Sequence, residues 1–491
     1  MRAPWPTAHY RPMTADERPQ YEHAIVLGAS LAGLATAQAL ANHFQHVTIV
    51  EHDHLPDSAT ARSGVPQSRH VHVMLPGGEK ALEQLFPGFG GGLLAIGATS
   101  VRVPQDMLWM NAAGWVSRFA GRRRMLAASR DLIEWYTRLR IQASERITVL
   151  DGRHVQGLVP SPSGRAVAGI ELRSVSHDRG GARAEDATRL LSADLVVDAT
   201  GRRSRTPDWL TRMGYDRPQE TRIDAGLSYA TRIYRRPDAD PGWKAIFLQP
   251  RPPETNRMGV VAPIEDDRWM VTLQGAGGDQ PPTDEEGFLA FARAMRTPAI
   301  HEAIRNAEPL TPIVGFANTA NRRRHYDKLR RWPERLVVVG DSACVFNPVY
   351  GQGMTVAAQT AVALDQRLSE HGLSHRSLDG FAAAMQRRVA KVGDAAWMIA
   401  TGDDLRYPST TGAKAGRSTR MMHRYLDRLH AAATTDEAVL NAFSDAFFLL
   451  RPPSSLFHPR VVARTLTRRT KTDPEPAAMA TGASQIATVP R

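Results

Sequence analysis

A single cysteine, Cys344, among 491 residues excludes an internal disulfide and any cysteine-built metal cluster. Nothing in the chain asks for an oxidising compartment, so a cytoplasmic location is expected. Long apolar runs are equally scarce. Residues 24–42 carry no charge, but Gly28, Ser30, Gly33, Thr36 and Gln38 interrupt them, and Asp16, Glu17 and Glu22 precede them in place of a basic region. That stretch reads as a strand and helix of a core, and no integral membrane association is expected. The chain also lacks a nucleophile elbow, a Walker loop, paired catalytic carboxylates and zinc-ligand spacing. His70 and His72 would share one face of a strand, but no third ligand accompanies them, so no metal site is expected. An enzyme with no acid, base or metal apparatus of its own borrows its chemistry from a cofactor.

What is present describes a globular chain with room for roughly two or three domains, 42% hydrophobic and 23% charged. The formal charge of +12 invites a nucleic-acid reading. The clusters Arg122–Arg124 and Arg322–Arg324 have no aromatic platform or binding motif beside them, so they read as solvated surface. No nucleic-acid partner is expected, and the charge favours an anionic cofactor.

The most informative stretch is Gly28-Ala-Ser-Leu-Ala-Gly33, between the apolar run Ala24–Leu27 and a small-residue helix pattern from Leu34 to Phe44. Such a turn between a buried strand and a helix lets backbone N–H groups and the helix end hold a pyrophosphate. Val47–Val50 then ends in Glu51, the acidic position suited to a ribose hydroxyl. Ser30 stands where a second glycine is usual. No second fingerprint and no internal repeat follow.

Further along, Arg62–His72 is a polar connection, and Ala127–Leu139 has helical spacing with Ser129 as cap and Arg130 in the first turn. Val167–Val175 and Ala193–Ala199 read as strands around a polar insert, the second ending in the turn Asp198–Ser204. Residues 226–278 carry β-rich runs at hairpin spacing, a largely antiparallel sheet inserted into the first domain. A helical pattern spans Asp284–Ala307. Arg335–Val339 then leads into Gly340-Asp341, and Pro348, Gly351 and Gly353 precede a helix starting near Met354.

These three elements, in this order and at these separations, resemble the single-component FAD-dependent aromatic hydroxylase class of flavoprotein monooxygenases. Arg62–His72, Gly114–Phe119, Tyr229–Arg232, Pro263–Trp269, Asn321–Tyr326 and Phe346–Met354 further resemble the epoxidases of polyether ionophore biosynthesis. The resemblance covers about residues 22–410. It implies that Gly28, Ser30 and Gly33 surround the FAD pyrophosphate, Glu51 takes the adenosine ribose, and Arg130 reaches the FAD from the facing helix. Arg62 would lie against the flavin, Asp341 would bind the ribityl chain, and Pro348, Gly351 and Gly353 would line the isoalloxazine. Asp198 belongs to a turn linked to both FAD and nicotinamide binding.

The fold implied is α/β, a Rossmann-like FAD-binding domain carrying the inserted sheet as a substrate domain. The expected boundaries are a flexible leader at 1–20, FAD-binding segments at 21–215 and 310–375, a substrate domain at 216–309, a helical region at 376–469 and a disordered tail at 470–491. NADPH or NADH would dock transiently as reductant, and a flavin C4a-hydroperoxide would pass an oxygen atom from molecular oxygen to an olefin of a bulky hydrophobic polyketide or terpenoid. The flavin carries the chemistry, so no catalytic side chain is named. Aromatic-ring hydroxylation and flavin-dependent reduction of an isoprenoid are the alternatives within enzymes, and a basic binding protein is the alternative outside them. A halogenase is disfavoured because Trp-x-Trp-x-Ile-Pro and its lysine are missing. Trp109, Trp115, Phe119, Tyr229 and Trp269 would fill the core or line a substrate cavity, Cys344 would be a small core residue, and residues 437–450 would pack on the domain rather than on a membrane.

Overall fold

The computed structural model describes residues 20–174, 189–317, 319–374 and 377–467. The expected leader, apart from Gln20, and the expected tail lie outside the described residues, as does the whole polar insert, residues 176–188.

Five strands form an all-parallel sheet in the spatial order Leu336–Val338, Leu195–Asp198, Tyr21–Leu27, Phe44–Val50 and Ile147–Leu150. The central strands are apolar and buried, as a sheet covered on both faces requires. The chain leaves the first strand in one direction to form the second and returns on the other side through 195–198, which makes the end of the first strand a topological switch point. The register pairs Leu27 with Val50 and with Asp198, and Asp198 with Val338. Gly28, Glu51, the Asp198 turn and Gly340–Asp341 therefore fall along one edge of the sheet although they are far apart in sequence. The helix Leu31–Ala41 is apolar and buried nearly all round, and the long helix Gly353–Ser374 packs on it.

A second sheet has six strands, ordered Val314–Phe316, Ser228–Arg235, Arg268–Gly275, Met258–Ile264, Ala245–Leu248 and Met107–Met110. Four neighbouring pairs are antiparallel; Met107–Met110 joins the edge in parallel with Ala245–Leu248. The sheet thus recruits strands from both sides of residues 216–309. Alternation separates its two faces. Leu108, Ile246, Leu248 and Trp269 turn to a core with Phe288 and Phe291, whereas Met107, Trp109 and Phe247 turn to a cluster shared with the C-terminal helices.

The helical pattern at 284–307 is broken into Glu285–Arg293 and Ala299–Ile304 around Pro298, which lacks the N–H needed to continue a helix. Helices Phe381–Asp404, Arg417–Ala433, Glu437–Phe447 and Pro459–Thr467 follow. Among the described residues no helix is long and apolar enough to cross a membrane.

Candidate active site

Gly28 has φ +98°, and a Cβ there would lie 2.7 Å from the Ala199 carbonyl oxygen. A Cβ on Gly33 would lie 1.8 Å from the Gly28 carbonyl oxygen, so both glycines are fixed by the close passage of helix, strand and neighbouring turn. The N–H groups of the helix's first turn are left without intrahelical partners, as at any helix start. Glu51 Oε2 accepts the Ala29 N–H at 2.7 Å, which ties the acid to the turn.

Ser30 does more than occupy a glycine position. Its Oγ donates to Glu134 Oε2 at 2.8 Å and accepts from Arg130 Nη2 at 2.7 Å. Ser129 caps the helix Arg130–Gln142 by accepting the Leu132 N–H, and this aims Arg130 and Glu134, one turn apart, at the fingerprint. Burial opposes the Glu134 charge, but Arg130, Arg62 and the hydrogen bonds from Ser30 and Arg62 outweigh it and hold the carboxyl below its usual range.

Arg62, expected against the flavin, lies beside Glu51. Its Nη1 is 3.2 Å from Glu51 and 3.1 Å from Asp53, and its Nε donates to Glu134 at 2.8 Å. Three carboxylates on two elements draw the guanidinium to this end as the connection folds back over the second strand. Arg62 Nη2 and Arg130 Nε are buried with no partner among the described residues.

Asp198 is fully buried and engages both carboxylate oxygens internally. Oδ1 accepts from the Thr200 N–H, Thr200 Oγ1 and Ser342 Oγ, and Oδ2 accepts from Ser204 Oγ and Thr206 Oγ1. It positions two turns against each other rather than presenting itself to a ligand. Asp341 is the opposite case: partly exposed, it has no hydrogen-bond donor among the described residues. Burial raises its pKa, while Arg202, Arg130 and Arg322 pull the other way.

Gly351, at φ +63°, and Gly353 bound a turn where a Cβ on Gly353 would meet nothing within 4 Å, so the start of the Gly353–Ser374 helix is open. The turn is held from behind. Asn347 Nδ2 donates to Asp404 Oδ1 at 2.7 Å, Asn321 Nδ2 donates to Asp404 Oδ2 at 2.6 Å, and Tyr350 Oη donates to Asp403 Oδ2 at 2.7 Å.

An apolar cavity of about 150 Å³ opens onto Pro348–Gly351. The second sheet, the Gln67–Leu75 stretch and the C-terminal helices wall it, with His70, Trp109, Tyr229 and Phe447 among its lining. Trp109 and Tyr229 therefore line the cavity, whereas Trp115 and Trp269 belong to the core behind the sheet. Phe119 packs on the cluster around Trp109, and Phe443 and Phe447 of the Glu437–Phe447 helix join it. A more polar cavity of about 360 Å³ adjoins the first, sharing Val349, Tyr350, Met258 and Gln274, and is lined by Arg251, Asp403, Arg406 and Asp427. His70 and His72 do not converge on a common point: His70 Nδ1 lies 2.8 Å from Thr231 Oγ1, and His72 Nδ1 lies 2.8 Å from the His70 carbonyl oxygen.

Residues 166–396 match the family described as the FAD binding domain. Protein Rv3254 of Mycobacterium tuberculosis is 32% identical over 437 residues, which is 87% of this chain and 90% of that one. The chain belongs to the FAD-binding flavoprotein monooxygenase family. The kynurenine 3-monooxygenase of Salinispora arenicola is 27% identical over 413 residues, 78% of this chain and 80% of that one. Among solved structures, the flavin-dependent brominase Bmp2 shares the fold, with a TM-score of 0.60 at 12% identity over 90% of this chain and 97% of that chain.

A flavoprotein monooxygenase needs a cradle for a long dianionic cofactor, and this edge of the sheet fits one. The two crowded glycines, the unpartnered Arg130 Nε, the Asp341 carboxylate without a donor and the open helix start lie in one row. Reading the sequence missed Glu134, Asn321, Asn347, Asp403 and Asp404, which hold that row in place. The (i, i+4) spacing of Arg130, Glu134 and Arg138 was the available signal for the first of them.

Proposed function

We propose that this FAD-dependent monooxygenase epoxidises an olefin within a bulky hydrophobic metabolite of polyketide or terpenoid type, with NADPH or NADH as transient reductant. Glu51 binds the adenosine ribose, Gly28, Ser30 and Gly33 admit the pyrophosphate, Arg130 neutralises it, and Asp341 accepts from the ribityl hydroxyls. Pro348, Gly351 and Gly353 leave room for the isoalloxazine. Asp198 acts through the two turns it joins, and Arg62 acts by fixing Glu51. Bound FAD supplies oxygen activation and delivery of an electrophilic oxygen atom.

One observation carries the choice of an olefin. Among the described residues that line the apolar cavity there is no Asp, Glu, Lys or Arg, and burial pulls its two histidines down, His70 to about 4 and His72 to about 3, so neither is a strong base. Oxygenation of a phenol gains from a base that takes its proton, whereas an isolated double bond is nucleophilic as it stands. The chain's task is to exclude water and hold the double bond against the ring, which Trp109, Phe447 and the sheet face are suited to do.

A second reading, oxygenation of an aromatic ring, draws support from the kynurenine 3-monooxygenase relative. Mass spectrometry after reaction with NADPH, isotopically labelled oxygen and a panel of polyenes separates the two. The expected product gains one labelled oxygen atom and loses one alkene. Label entering an aromatic ring while alkenes survive overturns the epoxidase reading.

A further inference from the structure

His70 and Tyr229 each expose only 5% of their surface, and their rings meet edge-on with centroids 5.1 Å apart on the wall of the apolar cavity. Two of their polar atoms, His70 Nε2 and Tyr229 Oη, are buried with no partner among the described residues. A buried donor left unsatisfied is a standing cost that a ligand relieves.

The hydrogen-bond chain behind His70 fixes what its free nitrogen offers. Val71 N–H donates to Thr272 Oγ1 at 3.2 Å, Thr272 Oγ1 lies 2.7 Å from Thr231 Oγ1, and Thr231 Oγ1 lies 2.8 Å from His70 Nδ1. Were Nδ1 the protonated nitrogen, Thr231 would receive its hydrogen and pass its own to Thr272. The Thr272 hydrogen would then have no acceptor among the described residues. Running the other way, Thr272 donates to Thr231 and Thr231 donates to Nδ1, and every hydrogen is used. Using every hydrogen within the protein in this way assigns the imidazole proton to Nε2. Burial, reinforced by Arg69, pulls the His70 pKa down to about 4, so the ring is neutral at ordinary pH.

We propose that His70 Nε2–H and Tyr229 Oη–H are a donor pair that grips a carbonyl oxygen of the substrate. This rests on the reading that the apolar cavity receives the substrate. Two neutral donors on rings in edge contact match the two lone pairs of a ketone, ester or lactone oxygen. A carboxylate would be buried with no cation among the described lining residues, and a pure hydrocarbon would leave both donors unsatisfied. The substrate class is thereby narrowed to carbonyl-bearing olefins, which favours polyketide-like over hydrocarbon terpenoid substrates.

The test is equilibrium titration of the oxidised holoenzyme with α-tetralone and with tetralin, its carbonyl-free counterpart, read from the change in flavin absorbance. The ketone should bind about tenfold more tightly. Tyr229→Phe removes one oxygen atom and should cut that preference about fivefold with tetralin affinity unchanged, and His70→Phe should do the same. Because His70 also anchors to Thr231, Tyr229→Phe decides the matter if the histidine variant does not fold. Equal affinity for the two ligands, no binding of the ketone, or a preference that survives Tyr229→Phe overturns the proposal. Failure to oxygenate any olefin, with the ketone preference intact, sinks the epoxidase reading and leaves the donor pair standing.

Discussion

Arg62 Nη1 lies 3.2 Å from Glu51 Oε2, with both side chains less than a tenth exposed, so the acid assigned to the ribose is held by a cation as well as by the Ala29 N–H. Arg62 also neutralises Asp53 and Glu134. Arg62→Met would leave three carboxylates facing one another in a buried pocket, and breaking a buried pair by removing one partner costs about 3–5 kcal/mol. The expected outcome is a lower denaturation midpoint together with a lower flavin-to-protein absorbance ratio in purified enzyme. Wild-type values for both would show that Arg62 does not organise this end.

Gly33 is predicted to be intolerant of any side chain. Its Cβ would fall 1.8 Å from the Gly28 carbonyl oxygen, so the helix would have to lift away from the strand. Gly33→Ala should yield protein that is insoluble or free of flavin. Gly91→Ala, where a Cβ meets nothing within 4 Å, should leave expression and flavin content intact. Ser30→Gly should fold but lose the bonds to Arg130 and Glu134, at about 1 kcal/mol each. Soluble, flavin-loaded Gly33→Ala enzyme would refute the close-packing account.

The elements readable from the sequence are those whose meaning is local. Gly28–Gly33, Glu51, Asp198 and Gly340–Asp341 each sit at the end of an apolar strand, and the parallel register alone then brings them to one edge. The ion pairs of Arg62 were not legible, because its partners come from a strand end and a distant helix, and nothing in its own neighbourhood names them. The pairing of Met107–Met110 with Ala245–Leu248 was likewise invisible, since sheet neighbours so far apart in sequence leave no periodic trace. The same holds for Asp404, whose role comes from Asn321 and Asn347 arriving from two other segments.

Asp341 separates stability from binding. Its carboxylate has no donor among the described residues, and burial raises its pKa, so in the absence of ligand the charge is carried at a cost. Asp341→Asn should therefore leave FAD-free protein at least as stable as wild type while weakening FAD. Hydrogen bonds to a charged acceptor contribute about 1.5–3 kcal/mol, equivalent to a loss of roughly ten- to a hundredfold in affinity. Titration of FAD-free protein, followed by flavin fluorescence, measures this. Unchanged affinity would remove Asp341 from the cofactor site.

Asp404 should make the ring-end turn sensitive to pH near neutrality. Burial, with Asp403 and Asp224 nearby, pushes its carboxyl from an ordinary 3.8 up to about 7, against the hydrogen bonds from Asn347 and Asn321. A folded-state pKa above the unfolded one means that the folded protein binds the proton more tightly. The associated stability is fully present below about pH 3.8 and is lost as pH rises through 7, a span on the order of 4 kcal/mol. Between pH 6 and 8, wild-type melting temperature should fall more steeply than that of Asp404→Asn, which has no proton to lose there and keeps an acceptor oxygen. Because Asp404 holds Asn347, the residue before Pro348, flavin retention should weaken over the same interval in wild type alone. Parallel pH profiles for the two proteins would show that this carboxylate titrates outside that window.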